Sequence, residues 1–354
     1  MKTKIFMLIA CFIVTASGAS AQNLIAVQHG GTNTFYTTID SAITMANSGD
    51  NVYIPGGYFN FTSGTIIINK PLNIFGVGYN MDSTMATFNT NTPTIEVLSS
   101  ASGGMITGIY ANSFSLIIHD TVSNYTINRC VFHNIDIGFN YGNTPPSNIS
   151  ISETIINNAL YGGKSPLNVF VSKCFIGALS NGNNYCIYGE NTVYDWQGLV
   201  CNNCIFFSSN SGNSLLYLIS NSTFQNCIFI DNGTSSIIGG TINVFRNCLS
   251  NKSSGFLTNV GTVLNCIFDQ TLSSTFVNQQ SNTFDIHDDY HLSPNSPGRN
   301  AGSDGTDIGI YGTVNPFKIG GIPFNPHVQL QQINTQTNQN GDLPVNITVG
   351  AQDH

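Results

Sequence analysis

Asn203-Cys204-Ile205-Phe206, Asn226-Cys227-Ile228-Phe229, Asn247-Cys248-Leu249 and Asn265-Cys266-Ile267-Phe268 are four copies of one short phrase. Three looser copies precede them: Asn128-Arg129-Cys130-Val131-Phe132, Ser152-Glu153-Thr154-Ile155-Ile156, with Thr in the Cys place, and Ser172-Lys173-Cys174-Phe175-Ile176. The intervals between successive Cys (or Thr) positions are 24, 20, 30, 23, 21 and 18 residues. Self-similarity at such a period marks a stacked repeat. Aligned on the Cys, the third residue upstream is apolar throughout: Ile127, Ile151, Val171, Cys201, Phe224, Phe245 and Val263. The second residue downstream is Phe132, Ile156, Ile176, Phe206, Phe229, Ser250 and Phe268, nearly all large. Columns of this kind predict a coil of short strands separated by bends, with equivalent residues ~4.8 Å apart. Asn suits the bend because it tolerates left-handed backbone and bonds to nearby main-chain groups. The Cys column reads as a small apolar ladder in the core.

Composition agrees with an all-β solenoid. Only 8% of the 354 residues are charged, 41% are hydrophobic, and Asn reaches 46 residues. The acidic balance, −8 overall, argues against nucleic acid or an anionic membrane as partner. Lys2 and Lys4, the apolar run Ile5 to Val14 and the small-x-small Ala19-Ser20-Ala21 predict a signal peptide over residues 1–21. The run is too short for a membrane span, and no later stretch approaches the ~20 apolar residues one needs. The expected location is therefore outside the cell or on its surface. Eight Cys remain after Cys11 is removed, an even number that suits disulfides in an oxidising compartment. Their place in a core column argues for free thiols, and the same column leaves Cys201-x-x-Cys204 without a redox or zinc role.

Ile39, Ala42, Ile43 and Ala46 follow helical spacing and Gly49-Asp50 ends the run. A helix here caps the first unpaired strands, giving an N-terminal strand and capping helix over 22–49. The solenoid is expected over 50–319, with room for about a dozen coils of ~22 residues, and a linker and hairpin over 320–354. The opening phrases Ile39-Asp40-Ser41-Ala42-Ile43 and Val52-Tyr53-Ile54-Pro55-Gly56-Gly57-Tyr58 resemble the start of right-handed parallel β-helix proteins of the pectin-lyase-like fold. Asp289-Tyr290-His291-Leu292-Ser293-Pro294-Asn295-Ser296-Pro297-Gly298-Arg299-Asn300-Ala301-Gly302 and Thr306-Asp307-Ile308-Gly309-Ile310-Tyr311-Gly312 resemble their closing coil in secreted proteins of Bacteroidetes-type bacteria. The resemblance implies the fold rather than an activity, because this fold hosts lyases, hydrolases and proteins without known chemistry. The Gly-His-Gly and Arg-Ile-Lys phrases of its pectin hydrolases are absent. With three Glu and three Arg in all, the grouped carboxylates and Arg of its calcium-dependent lyases are absent too. No cofactor and no metal are expected. Asp288, Asp289 and His291 alternate with Tyr290 and Leu292 as a strand does, which favours a structural role for them.

Two polar sets stand out as candidate sites. The position before the Cys carries Arg129, Glu153 and Lys173 in three successive coils. A lyase reading makes Lys173 the base that removes the proton beside a uronate carboxyl, with Arg129 neutralising that carboxylate. The competing reading, favoured by Glu153 between the two cations, is a surface ladder of alternating charge worth a fraction of a kcal/mol per pair. The second set lies in the 30-residue interval: Tyr188, Glu190, Tyr194, Asp195 and the only Trp, Trp196. Aromatic rings beside carboxylates on a projecting loop suit sugars, and that use requires an exposed Trp196 ring. The alternative is a loop folded onto the solenoid with its rings half buried. A secreted, non-enzymatic glycan-binding or surface-structural protein is the expected function, with a polysaccharide lyase or glycoside hydrolase as the alternative. The expected partner is a polysaccharide or cell-surface glycan.

The residue after the Cys is also apolar in every copy: Val131, Ile155, Phe175, Ile205, Ile228, Leu249 and Ile267. By the two-residue strand period it points outward, and an exposed stripe of this length needs a cover. Val328-Gln329-Leu330 and Leu343 to Val349 alternate as strands around the Asn340-Gly341 turn. A β-hairpin over 327–349 packed on the stripe is therefore expected, the rival being self-association through the stripe.

Overall fold

A computed structural model describes residues 24–59, 64–80, 88–138, 144–178, 185–190, 195–208, 215–231, 238–239, 241–257, 260–279, 285–322, 327–334 and 336–350. The expected signal peptide lies outside them. The chain is a parallel β-solenoid. Asn51–Tyr53, Asn73–Phe75, Met105–Thr107, Ser123–Asn128, Ser147–Ser152, Leu167–Ser172, Val200–Asn202, Thr223–Gln225, Val244–Arg246 and Thr262–Leu264 stack in parallel as one sheet. These ten strands fall short of a dozen coils because two coils are long, Ile74 to Ile106 and Val171 to Cys201 being partners 32 and 30 residues apart, and because no described strand beyond Thr262–Leu264 joins this sheet. The aligned column Val52, Ile74, Ile106, Ile127, Ile151, Val171, Cys201, Phe224 and Phe245 runs buried through the centre. At the amino end, Ile25–His29 and Thr32–Tyr36 extend the sheet in antiparallel fashion. Helix Ile39–Met45, capped by the Thr38 hydroxyl accepting from Ser41 N, buries Ile39, Ala42 and Ile43 against this end.

The bends explain the repeated phrase. Arg129, Glu153, Lys173, Asn203, Asn226, Asn247 and Asn265 all have φ between 48° and 54°, the left-handed region that costs an ordinary L-residue about 1–2 kcal/mol. Among residues with a side chain Asn bears that conformation best, which is why it recurs there. The next residue, Cys, turns inward and aims its thiol back at a carbonyl two residues earlier: Cys130 at Asn128 O (3.1 Å), Cys174 at Ser172 O (3.3 Å), Cys227 at Gln225 O (3.2 Å). Thr154 does the same with its hydroxyl, 2.9 Å from Ser152 O, so Thr can replace Cys in the ladder. All eight described cysteines are free thiols. A second left-handed column was not legible from the Cys alignment: Gly103, Asn124, Asn148, Asn168, Gly198, Asn221 and Ile242, at or just before the amino ends of this sheet's strands. Asn148 Nδ2 donates to Asn124 Oδ1 (3.1 Å) and Asn168 Nδ2 to Asn148 Oδ1 (3.0 Å), one coil to the next.

The apolar stripe is covered, though not by the hairpin. Val131, Ile155, Phe175, Ile205, Ile228 and Leu249 are at most 3% exposed. They pack with Phe276, Tyr290, Leu292, Ile308, Ile310 and Phe317 into a second core. The cover is the segment read as a closing coil. It forms no coil; it pairs Phe276–Asn278 with Asp289–Leu292 and then runs as a strap back along the solenoid toward its amino end. The C-terminal hairpin exists, His327–Ile333 against Val345–Gly350, but Ile333, Val345, Ile347 and Val349 are 48–58% exposed. Self-association through the stripe is overturned for the same reason. The strap supplies more contiguous apolar side chains than a two-stranded hairpin and already occupies the place.

Candidate functional site

Arg129, Glu153 and Lys173 do come together, at 3% and 6% exposure for the first two, so the ladder is not on the surface. Arg129 Nε donates to Glu153 Oε2 (2.9 Å), and Lys173 Nζ lies 3.4 Å from Glu153 Oε1. Their remaining donors grip the strap: Arg129 Nη1 donates to Ile322 O (2.9 Å) and Lys173 Nζ to Asn315 O (2.7 Å). The Asn rows continue the same task. Asn203 Nδ2 donates to Gly309 O (3.0 Å), Asn247 Nδ2 to Ala301 O (2.8 Å), and Ser303 N to Asn226 Oδ1 (2.8 Å). Five positions of the left-handed column, Arg129, Lys173, Asn203, Asn226 and Asn247, are thus clasps on the strap, with Glu153 bridging the two cations. Neither Arg129 nor Lys173 has the free cationic face that the lyase reading requires.

Trp196 corrects the other expectation. Its ring is fully buried. Nε1 donates to Pro166 O (3.1 Å), and a Cβ placed on Gly162 would lie 2.3 Å from the ring. The indole fits because Gly162 has no side chain, and it supports the sheet from within. Asp195 accepts from Ser220 Oγ (2.6 Å), and Tyr194 lies outside the described residues. Tyr188 and Glu190 fare differently: both line a groove of about 340 Å³ on the outer face of a second parallel sheet, in which Val131–Ile137, Ile155–Gly162, Ile187–Gly189 and Leu216–Tyr217 pair in turn.

That groove is built by register. Asp136, Tyr161, Tyr188 and Tyr217 are partners in four successive coils, so their side chains stand side by side on the outward face. Tyr188 and Tyr217 stack at 5.5 Å and 11°, and Tyr185 stacks on Tyr217 at 4.5 Å. Tyr161 is turned by 70° from Tyr188 at 5.7 Å. Tyr161 and Tyr188 line the groove with Asn134, Asp136, Ile137, Gly138, Gly162, Gly163 and Glu190, and Tyr185 and Tyr217 extend the row of rings beyond it. A bulge between Phe132 and Asn134 shifts the register there, and Asn134 Oδ1 accepts from Asn158 Nδ2 (2.8 Å) and Ala159 N (3.2 Å). Gly138 and Gly163 let two backbones close the floor: a Cβ on Gly163 would meet Gly138 O at 2.3 Å. Glu190 is held by its main chain, N to Gly162 O (3.2 Å), and its carbonyl accepts from the Tyr188 hydroxyl (3.2 Å). Burial pushes the Asp136 carboxyl up from 3.8 to about 7.

Asp136, Tyr161, Tyr185 and Tyr217 were missed in the sequence because they lie in four coils and belong to no phrase; the two-residue period counted from each Cys is interrupted by the bulge. Neither Lys nor Arg is among the described lining residues, and no group of three or more His, Cys, Asp or Glu with metal-holding geometry occurs among the described residues. Asp289 and His291 pair through Oδ1 and Nδ1 at 2.6 Å, and the imidazole stacks on Tyr311 at 3.8 Å, a strap contact. No protein-family model, curated protein or solved structure matches this chain.

Proposed function

We propose that the protein is an exported, non-enzymatic β-helix of the pectin-lyase-like type that holds a neutral polysaccharide in the tyrosine groove. The observation that carries this reading is the in-register row Asp136-Tyr161-Tyr188-Tyr217, with Glu190 beside it and no cation in the lining. Tyrosine rings supply apolar surface with a hydroxyl edge, the chemistry that a pyranose with C–H faces and hydroxyl rims presents in return. The Glu190 and Asp136 carboxyl groups can accept from sugar hydroxyls, and the described lining offers no cation to hold a uronate, so the ligand class is neutral rather than acidic. A row of equivalent side chains ~4.8 Å apart follows the solenoid axis, which suits an extended chain rather than a monosaccharide. The cell surface or the medium is the corresponding place of action.

Isothermal titration against neutral and uronate oligosaccharides tests it. The full chain should bind at least one neutral β- or α-glucan, mannan or xylan series and take uronates at least tenfold more weakly. Tyr188→Ala with Tyr217→Ala should weaken binding by about tenfold, the worth of one to two aromatic contacts, while leaving the unfolding temperature within a few degrees. Absence of binding across the panel would sink the reading. New reducing ends that vanish in Asp136→Asn would replace binding by hydrolysis.

A further inference from the structure

The carboxyl end of the solenoid is open. Every residue of the first sheet's central column from Val52 to Phe245 is buried, yet Val263, next in line, is 40% exposed and its neighbour Leu264 45%. Thr262–Leu264 is the last strand of that sheet, and no described strand pairs with its outer edge. Cys266, the last rung of the thiol ladder, is only partly buried where six of its seven described fellows show no exposure. The amino end, by contrast, carries helix Ile39–Met45 and the strand Ile25–His29. An uncovered core section with a free strand edge is an attachment site for another strand.

The same chain carries a strand pair without a partner sheet. In the hairpin His327–Ile333 and Val345–Gly350, Val345, Ile347 and Val349 alternate on one face and are 52–58% exposed. A two-stranded ribbon alone is marginally stable. It cannot add to its own solenoid's open end. Arg129 holds Ile322 O, and six rows separate Arg129 from Asn265, roughly 29 Å at ~4.8 Å each. The five steps from residue 322 to 327 span at most about 18 Å.

We infer that the hairpin of a second copy closes this end, laying Val345–Gly350 along the free edge of Thr262–Leu264 so that Val345, Ile347 and Val349 continue the core beyond Val263. Each copy then offers one donor and one acceptor, and assembly proceeds as a reciprocal pair or an open string. The glycan reading is independent of this one.

Sedimentation and light scattering of three full-length proteins test it. The native chain should associate with rising concentration. Val263→Lys, which puts a charge on the acceptor edge, and Ile347→Lys, which puts one on the donor face, should each be monomeric, with far-ultraviolet circular dichroism and unfolding temperature unchanged. Mixed together, the two variants should restore a one-to-one dimer, because each retains what the other lacks. A native chain that is monomeric up to its solubility limit overturns the inference. So does association that survives both substitutions, or a mixture of the two variants that stays monomeric.

Discussion

Arg129 holds a backbone φ of 52° that suits Asn better, and its guanidinium earns its place by bridging Glu153 and the strap. Removing one member of a buried ion pair leaves an uncompensated charge, typically about 3–5 kcal/mol. Arg129→Asn should therefore destabilise strongly in urea unfolding, although Asn tolerates the left-handed bend. The double variant Arg129→Asn/Glu153→Asn, which writes into these rows the residue used at Asn203 and Asn226, should lose less than the single; an equal or larger loss would mean that the charges are not coupled. Asp136 gives a pH prediction. Burial raises its carboxyl from 3.8 to about 7, so the folded state binds a proton that the unfolded state has released between those values. Stability contributed by the neutral form is complete below about pH 4, falls as pH rises toward 7, and is flat above it. At about 1.4 kcal/mol per unit the span is on the order of 4 kcal/mol. In Asp136→Asn the decline between pH 4 and 7 should shrink, measured by thermal unfolding across that range.

Among the elements, the strap and the hairpin exchange the parts expected of them. Both regions alternate apolar and polar residues, and pattern alone cannot say which lies on the stripe. The strap does, because Phe276, Tyr290, Leu292, Ile308, Ile310 and Phe317 pack with it in one core while the clasps from Arg129 to Asn247 fix the register. Ile310→Asp, at a site 1% exposed, should cost about 3 kcal/mol or more, since it buries a charge in an apolar interface, and it should raise the binding of a hydrophobic dye. Ile347→Asp, at a site 52% exposed, should do neither in dilute solution. If the two behave alike, the strap is not the cover.

At the scale of the whole molecule, the solenoid is held by a continuous interior rather than by cross-links. Seven of the eight described thiols are buried and none of the eight is in a disulfide; burial pushes Cys130 up to about 12, and Cys174 and Cys227 up as well. Thiols so placed are inert toward oxidation and alkylation. Under native conditions only Cys266 among them should react promptly with a thiol reagent, the others following upon unfolding. Reductant should leave the unfolding temperature unchanged. A disulfide found by mass spectrometry among the ladder residues would overturn this picture.

The repeated Asn-Cys phrase by itself determined that this chain coils into a parallel β-solenoid, because a one-column coincidence every 18 to 30 residues can be satisfied only by stacking. It also placed Cys inside, large residues beside it and a bend before it, since those follow from strand period and from the left-handed tolerance of Asn. What lies on the outside was decided by tertiary structure. Arg129, Glu153 and Lys173 were legible as a row, but their purpose depends on the strap that arrives from residues 315 to 322. Tyr188 and Glu190 were legible as a candidate pair, whereas Trp196 falls inside because the glycine at 162 makes room for its ring. Asp136, Tyr161 and Tyr217 become neighbours of Tyr188 only through pairing across coils 20 to 30 residues long. Inward faces obey a period that local sequence carries; outward faces obey whichever distant segment packs there, and no local pattern encodes its address.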